Sequence, residues 1–80
     1  MPFIIKYKTS QDNKTSWHKL ATLTSESVAD DIFNDLYNGT PEAQRSDIED
    51  IAYRTGREFQ QFRFVDGRKE WVGTIRLIKQ

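Results

Sequence analysis

The chain has 80 residues, twelve Lys and Arg against twelve Asp and Glu, and no cysteine. That is one domain spanning 1–80, without disulfides or thiolate metal ligands, and its neutral total argues against the usual strongly basic nucleic-acid binder. A domain this small buries only about 60% of its unfolded surface, so five Phe, three Tyr and two Trp must carry the core. No apolar run approaches the ~20 residues of a membrane helix. The opening Met1-Pro-Phe-Ile-Ile-Lys6 lacks the basic lead and length of a signal peptide. A cytoplasmic protein with no membrane partner is therefore expected.

Residues 3–9 alternate as a strand, with Phe3, Ile5 and Tyr7 on one face and Ile4, Lys6 and Lys8 on the other. A polar, turn-rich stretch from Ser10 to Ser16 leads to a second strand at Trp17–Leu23. Strict alternation there puts Trp17, Ala21 and Leu23 on one face and His18, Leu20 and Thr22 on the other. Thr24 and Ser25 are N-cap residues for a helix whose apolar stripe is Val28, Ala29, Ile32, Phe33, Leu36 and Tyr37. Asn38-Gly39 stops it, with a residue that tolerates positive φ. Thr40-Pro41 starts a second helix, Ser46-Asp-Ile-Glu49 reads as a capping box inside it, Ile48, Ile51 and Ala52 form its inward face, and Gly56 ends it.

Asp66-Gly67 between two β-rich runs signals a two-residue hairpin, pairing Val65 with Arg68, Arg63 with Glu70 and Phe62 with Trp71. Regular alternation from that turn places Phe62, Phe64, Trp71, Ile75 and Leu77 under the helices. It leaves Phe59, Gln61, Arg63, Val65, Glu70, Val72, Thr74, Arg76 and Ile78 on the outer face. The expected fold is α+β, in the order ββααββ: a four-stranded, largely antiparallel sheet with two helices packed on one face. The first and last strands are apolar on both faces near their ends, which makes them central and gives the order 2-1-4-3.

Charge divides by segment. Residues 1–23 carry a net +3, residues 24–50 a net −7 and residues 51–80 a net +4. Two surfaces follow. In the first reading, Asp30, Asp31, Asp35, Glu42, Asp47, Glu49 and Asp50 form an acidic helical face, with Trp17 and Tyr53 as rim anchors. Such a face docks on a basic surface of a partner protein, a device used by phage and mobile-element inhibitors of nucleic-acid-handling machinery. In the second, the basic outer sheet binds single-stranded nucleic acid through Arg57, Phe59, Arg63, Arg76 and His18. The run Arg57-Glu-Phe-Gln-Gln-Phe-Arg-Phe-Val65 resembles the aromatic strand of RNA-recognition modules, without the glycines of that motif and in a different strand order. A third route is homodimerisation through an unpaired sheet edge.

Catalytic signatures are missing. His18 is the one histidine, no glycine-rich loop follows a strand, and no serine sits in a nucleophile motif. The Asp12-Asn13 loop is too short for a calcium hand. A non-enzymatic module without metal or cofactor is expected.

Overall fold

The computed structural model describes residues 2–11, 16–51 and 56–79. Its class is α+β, with one α-helix and one five-stranded antiparallel sheet among the described residues. In chain order the elements are β1 (Phe3–Thr9), β2 (His18–Leu23), α1 (Glu26–Gly39), a 3₁₀ turn (Glu42–Gln44), β3 (Glu49–Asp50), β4 (Gly56–Val65) and β5 (Arg68–Lys79). The sheet order is β2-β1-β5-β4-β3. The four expected strands therefore stand in the expected order, with β1 and β5 central, and a short fifth strand is added at the β4 edge.

The core forms where α1 lies on the sheet. Ile5, Ala29, Phe33, Phe59, Ile75 and Leu77 make up its buried cluster. The Phe59 ring meets Phe33 edge-on at 5.6 Å and Tyr37 at 5.1 Å, the T-shaped geometry that aromatic quadrupoles favour. Ser25 caps α1, its hydroxyl accepting from the Val28 N–H at 3.4 Å. Val28 itself is 45% exposed, so it sits off the buried stripe.

The far end of α1 closes differently from expectation. Gly39 stays helical, and positive φ occurs among the described residues only at Asp66 and Gly67. The last carbonyls are taken instead by the Thr40 N–H and by the Arg45 guanidinium, which donates to the Tyr37 and Thr40 carbonyl oxygens at 2.8 and 2.9 Å. Arg45 also lies over the Tyr37 ring at 4.0 Å. A cation there complements the negative end of the helix dipole.

The expected second helix is replaced by the three-residue 3₁₀ turn and an extended run. Ser46 caps no helix. Its hydroxyl accepts from the Gln60 N–H at 2.8 Å, and its own N–H donates to the Gln60 carbonyl at 2.9 Å. Arg45 bridges to Gln61, and Glu49 and Asp50 pair with Glu58 and Arg57. The edge of β4 offers unpaired backbone groups. A segment with only Ile48 and Ile51 to bury gains more by satisfying them than by helix formation. Both isoleucines are half-buried. Ala52 lies outside the described residues. Gly56 opens β4 rather than ending a helix.

Two bulges decide which side chains face α1. The hairpin turn is as expected, with Asp66 at φ 51° and Gly67 at φ 77°, the two left-handed residues of a type I′ turn. Pairing runs Val65↔Arg68, Arg63↔Glu70 and Phe62↔Trp71, then jumps to Gln61↔Gly73, leaving Val72 as an extra residue in β5. From there Phe59 pairs with Ile75 and Arg57 with Leu77. In the other hairpin Ile5 pairs with Ala21 but Lys6 with Lys19, which leaves Leu20 extra in β2. Each bulge reverses the alternation beyond it. Phe59 is therefore in the core and not on the outer face. Phe62, Phe64 and Trp71 lie on the outer face and not under the helix. Trp17 lies on the face opposite to Ala21 and Leu23.

Candidate functional site

The sheet face turned away from α1 gathers side chains from all five strands. Cross-strand register sets Lys19 beside Lys6, Lys6 beside Arg76, Arg76 beside Glu58 and Glu58 beside Glu49. One row thus crosses all five strands, cationic over β2, β1 and β5 and anionic over β4 and β3. Three cations as direct cross-strand neighbours oppose folding, because like charges opposite one another are destabilising. Arg76 is partly compensated: its Nη2 and Nε lie 2.7 and 3.1 Å from Glu58 Oε1.

Trp17 lies over the cationic end of that row. Its ring centroid is 4.4 Å from the Arg76 guanidinium, 4.8 Å from Lys8 Nζ and 5.2 Å from Lys6 Nζ, within the range in which a ring face attracts a cation. The ring is half-buried, so part of an aromatic surface beside three basic side chains remains open to solvent.

Further along the same face a second aromatic group is held by a polar network. The Trp71 indole N–H donates to Gln60 Oε1 at 2.8 Å and reaches Thr74 Oγ1 at 3.2 Å, and the Thr74 hydroxyl donates to the same Gln60 oxygen. The buried Thr74 hydroxyl is thereby satisfied. Beyond Trp71, β4 and β5 continue as a two-stranded arm, residues 62–71. Among the described residues nothing else pairs with it: β1 ends opposite Gly73, and the bridge from Arg45 falls at Gln61. Its outer side carries Phe62 beside Trp71 and Phe64 beside Lys69. Lys69 Nζ stands 4.3 Å from the Phe62 ring centroid, and Phe64 is 53% exposed.

The residues singled out from the sequence are dispersed. Arg57 and Phe59 face α1. Arg57 donates to Asp30 at 2.8 Å and lies 5.0 Å over the Phe33 ring. His18 stands beside Tyr7 on the helix side, ring centroids 5.2 Å apart. Arg63 is on the arm, on the side away from Phe62 and Phe64, 3.5 Å from Glu70. Of the nucleic-acid-binding set, only Arg76 is on the outer face.

The acidic set divides as well. Asp31 and Asp35 are exposed on α1, and Asp30 is tied to Arg57. Glu42 is in the 3₁₀ turn, Asp47 follows it, and Glu49 and Asp50 form β3. Tyr53 lies outside the described residues. A further helix carboxylate, Glu26, pairs with Lys79. Part of the opposition between acidic helix and basic strands is therefore internal, joining the two layers. Of the edges, β4 is covered by β3, and β2 ends the sheet with its bulge at Leu20, 49% exposed.

Sequence reasoning missed Lys6, Lys8, Lys19, Lys69, Phe62, Phe64 and Trp71 as site residues because each lies across a bulge from where regular alternation puts it, or beside a ring that does. One signal was present: a glycine inside a strand, Gly73, marks a bulge. A Cβ there would meet the Lys8 carbonyl oxygen at 2.9 Å.

Among the described residues no group of three or more His, Asp or Glu is placed to hold a metal ion. No described helix is long and apolar enough to cross a membrane. Comparisons with protein-family models, with curated proteins and with solved structures find no match.

Proposed function

We infer that the chain is a non-enzymatic module that binds single-stranded nucleic acid on the outer face of its sheet. The observation that carries this reading is the Lys19–Lys6–Arg76 row with the Trp17 ring across it. A row of like charges costs stability, and a polyanion lying on it removes that cost. The nearby rings favour a polyanion that also carries flat π surfaces. Single-strand binders combine a cationic track with aromatic stacking platforms in this way. The neutral total is no obstacle, because Asp30, Asp31 and Asp35 are on α1 and Glu49 and Asp50 form the far edge of the sheet, while Glu58 meets the row at its Arg76 end.

Fluorescence anisotropy with labelled, random-sequence 12-nucleotide DNA and RNA tests the reading. Binding at low salt should weaken steeply as salt rises, with a slope of about −0.7 per phosphate contacted. An absence of binding at tens of micromolar protein in low salt overturns it. A second reading, docking of an acidic surface on a basic protein, retains the support of Asp31 and Asp35, exposed one turn apart on α1. It expects the Asp31→Lys, Asp35→Lys double variant to lose a partner recovered by the wild-type chain. Equal recovery by both removes it.

A further inference from the structure

The cations and the rings of the outer face are unevenly distributed along it. Lys6, Lys8 and Arg76 converge at Trp17, and Lys19 is the cross-strand neighbour of Lys6. Among the described residues the most exposed ring, Phe64, stands at the far end of the arm beside Lys69. Lys6 and Arg76 are paired across β1 and β5, and Lys69 is seven residues back along β5. At ~3.3 Å per strand residue the two places are ~20 Å apart. The Trp71–Gln60–Thr74 network lies between them.

We propose that the face holds its ligand at two separate stations: a phosphate-binding station under Trp17, made by Lys6, Lys8, Lys19 and Arg76, and a base-stacking station at Phe64 on the arm. This rests on the nucleic-acid reading above and fixes the length of the site. At the ~3.4 Å per nucleotide of a stacked strand, ~20 Å spans about six nucleotides, and fewer if the strand is stretched. A trinucleotide reaches one station. An octanucleotide reaches both, and its second contact is intramolecular, so the gain is a step rather than a gradual rise. The same geometry selects single strands, since bases paired in a duplex cannot stack on Phe64.

The test is a length series of labelled single strands of 3, 4, 6, 8 and 12 nucleotides, titrated with the wild-type chain and with Phe64→Ala and Lys6→Gln. Phe64 is exposed, and glutamine keeps a polar, hydrogen-bonding head at position 6; circular dichroism checks that both variants fold. The wild-type chain should gain at least tenfold between 3 and 8 nucleotides and then level off. Phe64→Ala should remove about fivefold or more of that gain while leaving the trinucleotide unchanged. Lys6→Gln should weaken every length by one common factor and lower the salt slope by about 0.7. Inorganic tripolyphosphate should displace the trinucleotide more readily than the octanucleotide.

A smooth rise with length, an equal effect of Phe64→Ala on short and long strands, or a duplex bound as tightly as the single strand overturns the two-station proposal and leaves the function standing. Failure of every length to bind overturns both. Tripolyphosphate binding in that case would mark the Trp17 corner as a site for inorganic polyphosphate alone.

Discussion

Phe59 and Phe64 stand five residues apart on β4 and have opposite fates. Phe59 is 0% exposed, its ring gripped edge-on by Phe33 and Tyr37, whereas Phe64 is 53% exposed on the arm. Glu58 and Gln60 flank the first, Arg63 and Val65 the second. Five residues of regular alternation along β4 put them on opposite faces, and the extra residue Val72 in β5 decides which of those faces lies with Ile75 and Leu77 under α1. Below the bulge, aromatic area is used to hold α1. Above it, the same residue type is left on the surface. Truncation should expose the contrast most strongly: Phe59→Ala should cost about 3–5 kcal/mol, and Phe64→Ala within about 0.5 kcal/mol. Urea unfolding monitored by circular dichroism measures both. Similar losses at the two positions would mean that Phe64 is packed as Phe59 is.

Gly56 sharpens the comparison from the backbone side. It opens β4 opposite Ile78, and a Cβ there would fall 2.5 Å from the Leu77 carbonyl oxygen and 3.2 Å from Ile51 Cδ1. Backbone cannot yield as the tip of a side chain can, so Gly56→Ala should cost about 1–3 kcal/mol by overpacking. At Gly67, by contrast, a Cβ has open space, and the penalty for alanine comes only from its φ of 77°. Should Gly56→Ala unfold at the wild-type urea midpoint, the close approach of β4, β5 and Ile51 is not as described.

The ion pairs between the layers come next in size. Arg57–Asp30 is about one-third exposed on each side. Pairs in that environment couple by about 0.2–1 kcal/mol in a double-mutant cycle. Arg57 also covers the Phe33 ring, so Arg57→Ala should cost more than Asp30→Ala, the excess being lost packing rather than lost charge. Equal costs for the two substitutions would make the pair purely electrostatic.

How much of this was readable in advance follows from what each signal depends on. The β4–β5 turn was legible because Asp66-Gly67 is a local instruction, satisfied by two left-handed residues whatever surrounds it. Helix α1 was legible through its apolar period and Ser25. The strand order was legible because Ile4, Ile5, Leu77 and Ile78 are apolar on both faces. The capping box at Ser46 misled because its local meaning was overridden by a tertiary partner: the hydroxyl that could have capped a helix meets the Gln60 N–H instead. The site was the least legible part, since membership of a face is a parity, and one extra residue in a strand inverts it. Gly73 gave a hint of the β5 bulge. Nothing comparable marks Leu20, whose bulge places Trp17 over the cations.

The smallest expected effect bears most directly on the outer face. Lys6 has like-charged neighbours on both sides, Lys19 and Arg76, and lies 5.2 Å from the Trp17 centroid, the longest of the three cation–ring distances there. Removing its charge relieves two direct repulsions, each worth about 0.2–1 kcal/mol. It loses a long cation–π contact of about 0.5–1 kcal/mol, while glutamine keeps a polar, hydrogen-bonding head for the further contact that Lys6 makes. The free chain carrying Lys6→Gln should therefore be as stable as wild type or more stable by a few tenths of a kcal/mol. The advantage should be largest at low salt and should fade as the Debye length falls from ~10 Å at 0.1 M to ~3 Å at 1 M. Thermal unfolding of both chains across that range measures it. A substitution that weakens polyanion binding while strengthening the free fold is the signature of charges held together for a ligand. A Lys6→Gln chain less stable than wild type at every salt concentration would instead make the cationic row part of the scaffold.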